Sequence, residues 1–294
     1  MTDQTKGLLL TFLGVMCIVP EALFVRVIDA PMLTLAFWKV TLVGVAIGTG
    51  VLVAQGAAPF RALRRAGWAS AIYVGGVACA GVGFVLAVRL TSVANVVFIL
   101  ASLPVFAAIY SRVFLGEPIS RRMFLTIAAV LAGLAVIAFG SGETENASRA
   151  GDLLALAISA IFAGALTAAR HARAVSMVPA VALAYLLAGL VLLPVAQPLQ
   201  MPGSELPQML LYAVFMAASA GLIALGPRYI SSAEVGLLVL LESVLAPLLV
   251  WAVLGEDPGI YALIGGAIVL GALFLSNLVA LARRRRVVPP LPHH

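Results

Sequence analysis

The chain has 294 residues, 63% of them hydrophobic and only 10% charged, with a mean hydropathy of +1.14 and a formal net charge of +6. That composition excludes a water-soluble domain, and the absence of strict apolar/polar alternation excludes a transmembrane β-barrel. An all-α integral membrane protein is left, in which the surplus of positive charge reports topology rather than nucleic-acid binding.

Ten windows of about 20 apolar residues, each long enough to cross roughly 30 Å of hydrocarbon as helix, follow one another along the chain. The first, 7–28, comes after the short start "MTDQTK" and carries Glu21. It is too long for a secretory leader and has no small-residue cleavage site, so it reads as a helix. The second, 31–54, contains Lys39. The third, 66–88, includes "GGVACAGVG" at 75–83, which suits close helix packing and, with no strand before it, is not a dinucleotide-binding loop. The fourth, 91–114, holds Asn95, Phe98 and Pro104. Windows 122–140, 151–170 and 179–196 carry few polar residues. The eighth, 207–228, has Tyr212 and Phe215, and the ninth, 233–254, has Glu242 and Pro247. The tenth, 259–281, runs into "RRRR" at 283–286, a stop and an anchor to anionic headgroups, followed by a tail, "VVPPLP", with the composition of a disordered segment. Cys17 and Cys79 lie in apolar windows and read as small buried hydrophobes. "NAS" at 146–148 matches a glycosylation acceptor.

With the N-terminus inside, fourteen basic residues fall on the cytoplasmic side, at Lys6, Arg61, Arg64, Arg65, Arg112, Arg121, Arg122, Arg170, Arg173, Arg228 and Arg283 to Arg286. Only Arg26, Arg89 and Arg149 fall outside. This bias places both termini in the cytoplasm.

Shifted by 139, residues 73–117 lie over 212–256 without a gap, and twelve of 45 positions are identical, among them Tyr73 with Tyr212, Arg89 with Arg228, and "LGE" at 115–117 with "LGE" at 254–256. An odd number of crossings separates the copies, so the second is upside down relative to the first. The expected organisation is two inverted five-helix repeats, 1–145 and 146–282, with a basic tail, 283–294. Such a construction places a binding site near the midplane, reached alternately from each side.

The paired "FLGEP" (114–118) and "VLGED" (253–257), the ten windows and the basic residue in "LTLAFWK" (33–39) resemble the EamA-domain branch of the drug/metabolite transporter superfamily over nearly the whole chain. Within it the sequence is similar to the YddG-type exporters of aromatic and hydrophobic amino acids. The resemblance implies an exporter of small metabolites in the cytoplasmic (inner) membrane, working by alternating access. "CIVPEALFVR" in the first window and Lys at position 39 depart from the common family pattern, and both lie near the implied site.

A charge at the centre of a spanning helix costs on the order of 2.5–3.5 kcal/mol, so the few that occur point to a site. Glu242 lies about 13 Å from the inner edge of its helix, and Glu21 and Lys39 about 10 Å from the outer edge of theirs, at 1.5 Å per residue, depths at which Glu21 and Lys39 can pair. An amino acid needs an acceptor for its ammonium and a donor for its carboxylate; Glu242 fits the first role and Lys39 the second. A second reading makes Glu242 a proton carrier, with the proton as coupling ion, because burial favours the neutral form of a carboxyl. A third makes Glu21–Lys39 a structural lock between helices. Leu103 stands where Glu242 does in the other repeat, so the repeat architecture does not require the carboxylate. Tyr73, Tyr212, Phe98, Phe215 and Asn95 are candidates to line an apolar pocket with polar handles. Pro104 and Pro247 each remove a helix hydrogen bond and are candidate hinges. Glu117 and Glu256 end helices near opposite interfaces, as caps or gate residues.

No phosphate-cradling loop and no zinc motif is present, and Asp3, Asp29, Asp152 and Asp257 fall at helix ends or in loops. The expectation is therefore a secondary transporter without cofactor or metal, monomeric or weakly oligomeric. A multidrug or nucleoside exporter of the same fold is the alternative, and an intramembrane enzyme a more distant one.

Overall fold

The computed structural model describes residues 3–116, 121–140, 147–172, 175–225, 229 and 232–287. All regular structure among them is helical. Among the described residues, nine helical segments are long and apolar enough to cross a membrane, and a shorter apolar segment, Leu241–Leu254, lies in the ninth window of the sequence. Large apolar side chains such as Val53, Phe114, Leu125, Phe139 and Val191 are exposed, the distribution of a body solvated by lipid rather than water.

Two of the ten windows are not single helices. The first is split into α1 (Asp3–Ile18) and α2 (Glu21–Val27). Pro20 cannot donate to the carbonyl four residues back and its ring crowds that turn, so the backbone pauses at Val19–Pro20 and restarts at Glu21. The fourth is split into α6 (Val93–Leu100) and α7 (Leu103–Leu115). There the expected bend at Pro104 is a full break over Ala101–Ser102: Ser102 donates its N–H (3.0 Å) and its hydroxyl (2.6 Å) to the Ile99 carbonyl, and Pro104 begins the new helix. Pro247, by contrast, sits inside the continuous α12 (Ser232–Leu254).

The remaining spans are α3 (Met32–Gln55), α5 (Trp68–Leu90), α8 (Arg121–Gly140), α9 (Arg149–His171), α10 (Val178–Ala196), α11 (Leu206–Leu225) and α13 (Ile260–Val287). Between α3 and α5 the stretch bearing Arg61, Arg64 and Arg65 forms a short amphipathic helix, α4 (Ala58–Ala66), with the arginines exposed and Leu63 buried. The last helix runs on through the arginines to Val287, five residues beyond the expected boundary at 282, because arginine is a good helix former. Glu117, Asn146, Arg173, Arg228 and the end of the tail lie outside the described residues.

Helix neighbours follow the repeat. With spans numbered along the chain, the second packs on the seventh (α3 on α10) and the fifth on the tenth (α8 on α13), pairs that a shift by five spans maps onto themselves. The third packs on the sixth (α5 on α9) as the eighth packs on the first (α11 on α1). These seams are built where a side chain would not fit: a Cβ on Gly133 would lie 2.7 Å from the Gly265 carbonyl oxygen, and one on Gly265 would lie 2.6 Å from that of Gly133. In lipid, where apolar burial does not drive helices together, such close approach supplies the packing. Orientation is fixed by hydrogen bonds at one end. Arg26, ending the first span, donates to the Thr91 carbonyl (2.8 Å), and the Thr91 hydroxyl donates to Asp152 (2.8 Å) at the start of the sixth. Spans one and six, equivalent in the repeat, thus run in opposite directions.

Candidate functional site

The break at Pro20 places Glu21 on the first residue of α2, inside the span, with only 8% of its surface exposed. Its Oε1 lies 2.6 Å from Lys39 Nζ on α3 and accepts the Tyr212 hydroxyl of α11 at 3.2 Å. Glu21 is six residues from the end of the first span, Lys39 seven from the start of α3 and Tyr212 six from the start of α11, so all three lie about 9–10 Å from one edge of the bundle at 1.5 Å per residue. Lys39, 2% exposed, also donates to the Gly81 carbonyl of α5 at 3.1 Å and stands 4.9 Å from the Phe84 ring centre. A helical carbonyl has a second lone pair beyond the one its own helix uses, and Gly81, lacking a side chain, exposes it. One ammonium therefore ties together the first three spans, and Tyr212 adds the eighth.

Aromatic rings surround this pair. Phe24, one turn beyond Glu21, stacks on Tyr212 (5.3 Å, 17° between planes) and meets Phe215 edge-on (5.8 Å, 61°). Tyr185 of α10 lies over Gly81, where a Cβ would come within 2.6 Å of its ring. Phe24, Phe84, Tyr185 and Phe215 are half-buried and pack against the main core. Glu242 on α12 is half-buried as well. α12 packs against α1 and α2, and Glu242 makes no hydrogen bond or ion pair with the described residues.

The structure thus brings together Glu21, Lys39, Tyr212 and Phe215 of the sequence candidates, while Glu242 sits mid-helix on α12. Tyr73 stands one neighbour away, buried with Leu63, Val77 and Ala165 in a cluster against which Tyr185 packs. Phe98 packs on Gly266 of α13. Asn95 is committed elsewhere, its amide donating to both oxygens of Asp152 at 3.0 and 3.1 Å. Sequence reasoning missed Phe24, Gly81, Phe84 and Tyr185. Only Phe24 carried a signal, one helical turn from a buried carboxylate behind a proline; the others are ordinary in apolar windows. Among the described residues no three His, Cys, Asp or Glu side chains gather as a metal site.

A buried ion pair linking two spans, aromatic rings packed around it, and two repeats running in opposite directions describe a membrane carrier. The model of the EamA-like transporter family matches residues 5–139 and again 149–278. This chain belongs to the EamA-like transporter family. The two matches reproduce the repeat found by self-comparison, and their junction falls in the connection between α8 and α9. A solved structure described as "Crystal structure of protein" superposes on this EamA protein with a TM-score of 0.65 at 20% identity, covering 96% of this chain and 99% of that one; at that identity it shows the shared fold. No curated protein matches. The EamA protein is therefore a multi-pass membrane transporter of the drug/metabolite transporter superfamily, with the Glu21–Lys39 ion pair buried in its interior.

Proposed function

We propose that this EamA protein is a secondary exporter of aromatic and hydrophobic amino acids, or of small metabolites of the same amphipathic shape, moving them out of the cytoplasm by alternating access. In this reading ten spans cross the cytoplasmic membrane with both termini inside. The observation that carries it is the buried Glu21–Lys39 pair among the rings of Phe24, Phe84, Tyr185 and Phe215, with Glu242, which has no partner among the described residues, on the neighbouring α12.

The chemistry follows from counting donors and acceptors. An ammonium has three N–H groups. Two of those on Lys39 go to Glu21 and to the Gly81 carbonyl, and the third is available to a substrate carboxylate. Glu21 is neutralised by Lys39, so the net acceptor for a substrate ammonium is Glu242. Phe24, Phe84, Tyr185 and Phe215 offer rings to an apolar or aromatic side chain, whose burial contributes roughly 25 cal/mol per Å². A zwitterion with a greasy side chain fits all three.

Uptake of labelled phenylalanine and leucine into proteoliposomes, with and without a pH gradient, tests the reading, beside a panel of nucleosides and planar cationic drugs. Saturable amino-acid uptake is expected; none above empty liposomes overturns it, and stimulation by the gradient adds the proton as coupling ion. Topology is tested separately with impermeant thiol reagents on cysteines at Ser176 and Ser204, exposed positions at opposite ends of α10. Ser176→Cys is expected to react from the cytoplasm and Ser204→Cys from outside.

A further inference from the structure

The two breaks at Pro20 and at Ala101–Ser102 leave two short half-helices, α2 and α6, severed from the rest of their spans. Both end at the same place. The guanidinium of Arg26, in the last turn of α2, has Nε 2.9 Å from Glu256 Oε2, and its Nη2 donates to Glu256 Oε1 at 3.1 Å and to the Thr91 carbonyl at 2.8 Å. The same Oε1 accepts the backbone N–H of Val93, the first residue of α6, at 2.9 Å. Glu256 reaches this point because α12 stops at Leu254 and Gly255 turns the chain with φ +70°, a conformation that glycine adopts without strain. One carboxylate thus holds the ends of both half-helices, and it lies two residues beyond the end of the helix that carries Glu242.

We propose that Arg26 and Glu256 are positioning residues that latch this end of the transporter. With Glu256 bound to Arg26 and to Val93 N–H, the end is shut. When Glu256 withdraws, α2 turns about Val19–Pro20 and α6 about Ala101–Ser102, and a path opens to Glu21. Five residues of rigid helix, about 7.5 Å, separate Glu21 from Arg26, so any shift of Glu21 against Lys39 is delivered to the latch. The breaks are what make this a movement of bodies: each half-helix is joined to its other half by a two-residue turn, the kind of short connection that absorbs a hinge rotation. The proposal rests on the alternating-access reading above.

The test reads accessibility rather than transport. Ala22, 2% exposed and one turn inward from Arg26, is changed to cysteine in a background where Cys17 and Cys79 are alanine, and labelling by an impermeant maleimide is timed in right-side-out and inside-out vesicles without substrate. In the parent, labelling from the Arg26 end is slow. Glu256→Gln keeps an oxygen for Val93 N–H but removes the charge that holds Arg26, and Arg26→Gln removes the other partner. Each is expected to speed labelling from that end about tenfold, within the range of ordinary conformational coupling, and the double variant no more than either alone, since both open one latch. Arg26→Lys, which keeps the charge, stays near the parent rate. Size-exclusion profiles identify variants that have not folded; the folded member of the Glu256→Gln and Arg26→Gln pair then decides. Rates within about twofold of the parent in the folded variants, or gains that add in the double variant, overturn the latch. Accelerated labelling in a protein that moves no amino acid leaves the latch standing and removes the substrate assignment; transport with unchanged labelling does the reverse.

Discussion

Replacing Lys39 by methionine removes the ammonium and keeps the length and much of the apolar stem. At 2.6 Å and an effective dielectric near 20, the gross attraction between Lys39 and Glu21 is about 6 kcal/mol; desolvation of both ions offsets part of it, and breaking a buried pair from one side costs about 3–5 kcal/mol. The Gly81 carbonyl retains its own helix partner, so the lost bond at 3.1 Å adds little. At about 2–4 °C per kcal/mol, the melting temperature of detergent-purified Lys39→Met falls by about 6–20 °C. The double variant Glu21→Gln with Lys39→Met leaves no unpaired charge, and its amide oxygen still accepts the Tyr212 hydroxyl, so melting returns to within a few degrees of the parent, since neutral replacement of a buried pair is often neutral in stability. Transport does not return with it. Scanning fluorimetry on the four proteins closes the cycle. A single variant that melts within about 2 °C of the parent refutes the reasoning, because it means that the pair is solvated or that Glu21 is not its counter-charge.

Glu242→Gln keeps the volume at a position with no partner among the described residues, so melting is expected to stay within about 2 °C while amino-acid export drops at least about tenfold, the scale of one lost charge-assisted hydrogen bond; unchanged export moves Glu242 out of the site. Asp152→Ala strands the Thr91 hydroxyl and the Asn95 amide, both buried donors to that carboxylate, and is expected to cost about 2–4 kcal/mol, read as a lower melting temperature. Gly133→Val drives a side chain into the Gly265 carbonyl and Val269 and opens the α8–α13 seam, costing about 1–3 kcal/mol. Gly75→Ala, where a Cβ meets nothing within 4 Å, is the control and leaves melting unchanged or slightly raised.

Hydropathy and length are properties of a chain segment taken alone, and they determined the spanning windows, the repeat and the depth at which Glu21 and Lys39 meet. A helix apolar on every side, such as α3, α10 or α12, carries no periodic stripe to say which face meets which neighbour. The sequence therefore placed Asn95 and Glu242 in one pocket, whereas packing gave Asn95 to Asp152. Facing was decided by small residues at the seams, Gly133 against Gly265 and Gly81 beneath Tyr185, whose fit depends on two helices at once. The break at Pro20 was written locally, in a proline followed by a carboxylate. Its consequence was not, because only the assembled bundle brings Glu256, 230 residues from Arg26, to the ends of both half-helices.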